Sequence, residues 1–341
     1  MLIRRIMRYM AVVCCGIGLN YAWGDTPMRT NLAGVPFEGK ERLLLWAEHA
    51  YGAAKDAYGL SMPLLVAGMV GDMELFHGIW EKMRAPLEAM DDKSFEAWLY
   101  GRVLIAADNV GDRGMAVAIA EQLKKLLDRD DLPQNAMSTW AWGYWLTYQG
   151  RHNRVTQYEP YKLKAIEMTD AVIDTDHSKD RVTNVLWALV MDASAAASAD
   201  DKRLYRALIR KAVIFTRKAT ADETRDEIPV SIVQAAFAEM PMEDFQPWGL
   251  ASMAVFAAAV GQVDQAEAFI EAATYALGKP LERAQKKGEI DEGKAAAIQA
   301  LTRVNIEWAR HSLAIRRATA AAPATAPAAA EAPSAAALSM K

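Results

Sequence analysis

Three groups of residues in this chain have types and spacings that could support chemistry. The first is Asp170, Asp174, Asp176, His177 and Asp180, in the stretch TDAVIDTDHSKD. Alternating oxygen ligands in a loop suit calcium, but the glycine needed at the sixth loop position is Lys179, and the closing glutamate is Val185. The stretch therefore reads as an interhelical turn rich in capping aspartates. The second group is the five histidines, His49, His77, His152, His177 and His311, which show no metal-ligand spacing among themselves. The third is aromatic. Trp140, Trp142, Tyr144, Trp145 and Tyr148 crowd the segment MSTWAWGYWLTYQG. Aromatic faces stack on sugar rings and anchor partner chains, so these five are the candidate binding residues. On a helix they spread around most of the circumference, so some must be core. The sequence contains no HExxH, no cysteine-pair motif, no glycine-rich phosphate loop and no G-x-S-x-G elbow. It therefore nominates no catalytic residue, no metal ligand and no cofactor.

The elements that would position these residues are helical. From Ser94 to Leu127, Tyr100, Val103, Leu104 and Ala107 fall at helical spacing before Gly111-Asp112, and Ala116, Ala120, Leu123 and Leu127 do so after it. Glycine allows the first helix to stop, and aspartate can cap the second. Similar hairpins turn at Gly71-Asp72 and Gly261-Gln262, and a looser one at Gly150. Further helices are expected over 39–58, over 181–197 and 202–219 (turning at Ala199-Asp200-Asp201), around Val230 to Glu239, and over 291–318. The acidic pairs Asp91-Asp92 and Asp130-Asp131 fit helix N-termini. No alternating run is long enough for a strand. The fold class expected is all-α, as stacked antiparallel hairpins in an α-solenoid, with an (α/α) toroid as the alternative.

The ends of the chain differ from its middle. Arg4, Arg5 and Arg8 precede an apolar run from Met10 to Leu19, and Ala22-Trp23-Gly24 supplies small residues where a signal peptidase reads. This is the pattern of a signal peptide over 1–24, too short for a membrane span, with cleavage between Gly24 and Asp25. The expected location is therefore periplasmic or secreted. Cys14 and Cys15 lie inside the apolar run. Val13 stands where a lipoprotein signal needs a small residue, which argues against lipid anchoring. Residues 25–38 read as an extended lead-in, 39–318 as the helical-repeat domain, and the Ala/Pro-rich 319–341 as disordered, with nothing to bury. Removing the three signal arginines takes the formal charge from −4 to −7, which disfavours nucleic acid as a partner.

Two family resemblances arise. Gly111, Ala116, Ala120 and Leu123, and likewise Gly261, Ala266, Ile270 and Ala273, resemble the second helix of tetratricopeptide repeats. The Gly71-to-Gly111 interval of 40 residues exceeds that family's 34. This resemblance implies a groove that binds other proteins. Asp56-Ala57-Tyr58-Gly59-Leu60, followed by Gly71-Asp72, Phe76 and Trp80, resembles the N-terminal motif of family 8 glycoside hydrolases. That resemblance implies a secreted toroid of six hairpins acting on β-glucan. The family's catalytic acid would fall at Ala54, and Glu96 in SFEAW is the nearest match to its second acidic motif. Glycoside hydrolysis needs two placed carboxyl groups. The first expectation is thus a non-enzymatic scaffold or adaptor for protein partners in a bacterial envelope assembly, such as secretion, pilus or polysaccharide-export machinery. The alternative is a toroid, active or inactive, that acts on or binds a polysaccharide.

Overall fold

The computed structural model describes residues 32, 35–152, 155–223 and 228–321. The signal-peptide reading, most of the lead-in and nearly all of the Ala/Pro-rich tail lie outside these residues. Among the described residues the secondary structure is entirely helical. The helices are α1 Lys40–Ala53, α2 Ala57–Val70, α3 Met73–Glu88, α4 Lys93–Val110, α5 Arg113–Leu127, α6 Ala136–Arg151 and α7 Val155–Thr175. They continue with α8 Arg181–Ser198, α9 Lys202–Phe215, α10 Val230–Phe237, α11 Gln246–Ala259, α12 Val263–Ala276, α13 Lys279–Lys286 and α14 Glu292–Ala321, with a 3₁₀ turn at Met242–Asp244.

The expected hairpin turns share one geometry. Gly71, Gly111 and Gly261 all adopt left-handed backbone, with φ of 74°, 84° and 78°. At each, two successive amides donate back to the last turn of the preceding helix, as Gly111 N does to Asp108 O and Asp112 N to Ala107 O. Asp200 repeats the arrangement at φ 52° without glycine, so the Ala199-Asp200-Asp201 turn is a fourth copy. Aspartates then start the next helices. Asp72, Asp92, Asp112 and Asp201 each accept amide hydrogen bonds from the first turn. Three expectations need adjustment. The helix expected over 39–58 breaks at Ala54 to Asp56, which places Tyr58 on α2. Gly150 is not a turn; it lies inside α6, where a Cβ would meet Ala199 N at 3.0 Å. The cap before α6 is Asn135, while Asp131 pairs with Arg129.

The helices fall into two classes by burial. In α2, α4, α6, α8 and α11 nearly every side chain is buried. In α3, α5, α9 and α12 only one stripe is. A helix that is apolar all round must be enclosed by others, and a one-striped helix covers it. The packing follows this division. The hairpins stack as expected, with α2 against α4, α4 against α6, α6 against α8, α8 against α11 and α11 against α14. The stack curves until α14 meets α2, so these six inner helices form a ring. The outer layer lies over the gaps between them. There α3 touches α2 and α4, α5 touches α4 and α6, α7 touches α6 and α8, α12 touches α11 and α14, and α1 spans α14 and α2. Small residues let the inner helices approach closely: a Cβ on Gly68 would lie 2.8 Å from Ala106 Cα, and one on Gly143 would lie 2.5 Å from Met191 Cβ. The close contact explains why both positions are glycine.

Candidate functional site

Because inner and outer helices alternate along the chain, the N-terminal ends of the inner helices gather at one mouth of the ring. All six supply residues to a cup there of about 200 Å³. Tyr58 and Met62 come from α2, Phe95, Trp98 and Arg102 from α4, Met137, Trp140 and Tyr144 from α6. Thr183, Trp187 and Met191 come from α8, Trp248 from α11 and Lys294 from α14, while Glu243, Asp244 and Phe245 enter from the turn before α11. The partial positive charges of six helix N-termini therefore point toward the same space.

The wall is an aromatic collar in two arcs. In one, Tyr58 stacks on Phe95 and Trp98 at centroid distances of 6.1 and 6.0 Å, and Trp98 meets Trp140 at 5.8 Å. In the other, Trp187 lies 4.8 Å from Trp248, which meets Phe245 edge-on at 6.0 Å. Hydrogen bonds hold two of the indoles in place. Trp140 Nε1 donates to Asn184 O at 3.2 Å and Trp187 Nε1 donates to Asp244 O at 3.0 Å. Phe245 sits in left-handed backbone at φ 64°, a strained state for a phenylalanine. The strain is sustained where this turn carries the phenyl ring into the collar.

Two cations line the cup, Lys294 at the start of α14 and Arg102 in the side wall. Arg102 is only 4% exposed, and its guanidinium carbon lies 3.9 Å from the Trp98 ring centroid and 5.9 Å from that of Trp248. Its Nη1 donates to Ser61 Oγ at 2.7 Å, while Nε is buried without a hydrogen-bond partner. Among the described residues no carboxylate pairs with it. Burial raises the pKa of the Tyr144 phenol, against the opposing pull of the Arg102 charge and of the hydrogen bond between the two side chains. Of the cup's two carboxylates, Asp244 accepts from Thr183 Oγ1 at 2.5 Å, and Glu243 is its neighbour in the chain.

A larger groove of about 820 Å³ lies along the seam where the ring closes, between α1, α2 and α14. It shares Tyr58, Met62, Phe245 and Lys294 with the cup, so the two spaces adjoin. Trp46 and His49 of α1 border it, as do Asp291 and Glu292 at the start of α14.

The five aromatic residues nominated from sequence separate into three places, and all are buried. Trp140 and Tyr144 line the cup. Trp142 and Trp145 pack away from it with Tyr161, at 5.4 and 5.2 Å, beneath Lys124. Tyr148 lies near the other end of α6, 4.6 Å from the His152 ring. Glu96 is outside the cup; it is buried and accepts from Lys93 Nζ at 2.7 Å. In the acid-rich turn, burial pushes the Asp176 carboxyl up, but hydrogen bonds from Ser178 and Asn184 and the Arg181 charge outweigh it and leave the pKa lowered. Asp170 pairs with Lys211. Among the described residues no group of three metal-ligating side chains converges, and no helix is long and apolar enough to cross a membrane. Sequence reasoning missed Tyr58, Phe95, Trp98, Arg102, Trp187, Phe245 and Trp248. The available signal was an aromatic residue near the start of every inner helix but the last.

The chain was compared with protein families, curated proteins and solved structures. None of the three gives a match.

Proposed function

We propose that this protein binds a carbohydrate chain, seating one sugar unit in the cup and neighbouring units along the seam groove. The observation that carries this reading is the aromatic collar built by separate helices around one mouth. Sugar rings present flat apolar faces and polar edges, and an aromatic wall with a few fixed polar groups is the surface that receives both. Size supports the division of labour. At about 200 Å³ the cup is smaller than the ~300–1,000 Å³ of pockets that enclose a drug-sized ligand, so it suits a single ring. The ring described here has five hairpins, with α14 and α1 closing it, and a ring of helical hairpins is also the architecture that the resemblance to family 8 glycoside hydrolases implies.

We propose binding rather than hydrolysis. Hydrolysis needs two carboxyl groups on either side of the scissile bond, roughly 5–10 Å apart. The cup offers Glu243 and Asp244, which are adjacent in the chain, and Asp244 is engaged by Thr183. The adaptor reading needs an exposed recognition face and draws no support from the aromatic helix, whose five nominated residues are buried.

The test is a panel of oligosaccharides titrated into the protein with tryptophan emission as readout. Saturable quenching that is lost in Trp98→Leu supports the proposal. Absence of binding to every glycan on a broad array overturns it. Turnover of any bound glycan, read by zymography and abolished in Glu243→Gln, overturns the choice of binding over hydrolysis.

A further inference from the structure

We infer that the sugar unit seated in the cup is acidic, a hexuronic acid whose carboxylate is received by the Arg102 guanidinium. The inference rests on the carbohydrate reading and adds the charge of the ligand to it. A buried guanidinium is costly unless it is paired, because the charge leaves water and gains little in return. Arg102 is 4% exposed and has no carboxylate partner among the described residues. The Trp98 face at 3.9 Å, the Ser61 hydroxyl at 2.7 Å, the Met62 sulfur at 3.5 Å and a hydrogen bond with the Tyr144 phenol compensate it in part. All of these partners are neutral, Nε is buried without an acceptor, and the side chain lines the cup.

A guanidinium presents donors in a planar fork, and a carboxylate matches that fork with two parallel hydrogen bonds. A neutral hydroxyl would satisfy one donor and leave the charge uncompensated. The helix N-termini directed at the cup favour the same sign of ligand charge. Glu243 and Asp244 also line the cup and carry their charge there, but neither forms an ion pair with the guanidinium.

The test compares pairs of ligands that differ only at the carboxyl group. Oligo-galacturonates and oligo-mannuronates are titrated into the full chain, together with their carboxyl-reduced neutral twins and with succinate as a carboxylate lacking a sugar ring. At least one uronate is expected to bind about tenfold or more tighter than its neutral twin, the worth of a charge-assisted bidentate contact. In Arg102→Met, which keeps the volume and removes the charge, the advantage of the uronate over its neutral twin is expected to disappear. Arg102→Lys keeps the charge without the fork and is expected to retain only part of the preference, which serves if the methionine variant does not fold. A neutral twin that binds as well as its uronate overturns the inference and leaves the carbohydrate reading standing. So does a preference that survives in Arg102→Met, or succinate binding as tightly as the sugar acid. If neither acid nor neutral twin binds while another glycan of the broad array does, the inference is overturned and the carbohydrate reading stands; if no glycan of the array binds, the carbohydrate reading itself fails.

Discussion

Replacing Gly143 with alanine tests how the ring is packed. Gly143 lies on α6 where it faces α8, and a Cβ there would sit 2.5 Å from Met191 Cβ, 3.1 Å from Met191 carbonyl carbon and 3.3 Å from its Cα. Carbon atoms settle at roughly 3.5–4.0 Å, so the two helices would have to part by about 1 Å. The obstructing atoms are backbone and Cβ, which cannot move by a change of rotamer. We therefore assign the upper end of the overpacking cost, about 3 kcal/mol. Alanine's better helix propensity returns about 1 kcal/mol, leaving a net loss of about 2 kcal/mol. Gly78 is the control. It is interior to α3, and its added Cβ would meet only the Tyr51 side chain, at 3.7 Å or more. The same substitution there should gain about 1 kcal/mol. Thermal melts should separate the variants, with Gly143→Ala lower by about 4 °C and Gly78→Ala higher by about 2 °C, at roughly 2 °C per kcal/mol for a chain of this size. If Gly143→Ala is stabilised as much as Gly78→Ala, α6 and α8 do not approach as described.

Three further outcomes follow from buried or strained groups. Burial pushes the Asp192 carboxyl up to about 7, against the hydrogen bond donated by Thr169. Its folded pKa thus exceeds the unfolded value near 3.8, so stability is greatest at low pH, falls as pH rises from about 4 to 7 by up to ~4 kcal/mol, and is level above. Asp192→Asn should gain stability relative to the native chain in denaturant melts at pH 8 compared with pH 4, and an equal difference at both would exclude this cause. Asp108 is buried between Arg151 Nη1 at 2.9 Å and His152 Nε2 at 2.7 Å, so Asp108→Asn should cost about 3–5 kcal/mol by leaving Arg151 uncompensated. A change below 1 kcal/mol in urea unfolding would show that the pair is not buried as described. Asp200→Gly should raise stability by roughly 0.5–1 kcal/mol, because glycine adopts φ 52° without strain; a lower melting temperature would contradict the fourth-copy turn.

The hairpins were legible because their determinants are local. A glycine that ends one helix, an aspartate that caps the next and an apolar stripe on each lie within about a turn of one another, as at Gly111-Asp112. Asp200 shows the limit, since aspartate tolerates left-handed backbone and fills the glycine's place without announcing it. Ring closure was only an alternative at the sequence level. It depends on α14 meeting α2, helices from opposite ends of the chain, and neither carries a mark of that contact. Being apolar all round, the inner helices also conceal which side faces the centre. For the same reason the aromatic segment of α6 was visible as a cluster, yet its division could not be read. Trp140 and Tyr144 face the cup, while Trp142 and Trp145 face Tyr161. Arg102 stood in a run of apolar residues, a position where a charge asks for a counter-charge, but the lack of a carboxylate partner shows only in three dimensions.

Hydrogen–deuterium exchange with and without a bound oligosaccharide tests the central claim most directly, that the gathered N-termini of the inner helices are the binding site. Protection is expected in the segments holding Tyr58, Trp98, Trp140, Trp187 and Phe245, and in the first turn of α14 at Lys294, with the outer faces of α5, α9 and α12 unchanged. Protection confined to those outer helices, with the first turns of the inner helices unaltered at saturating ligand, would contradict it.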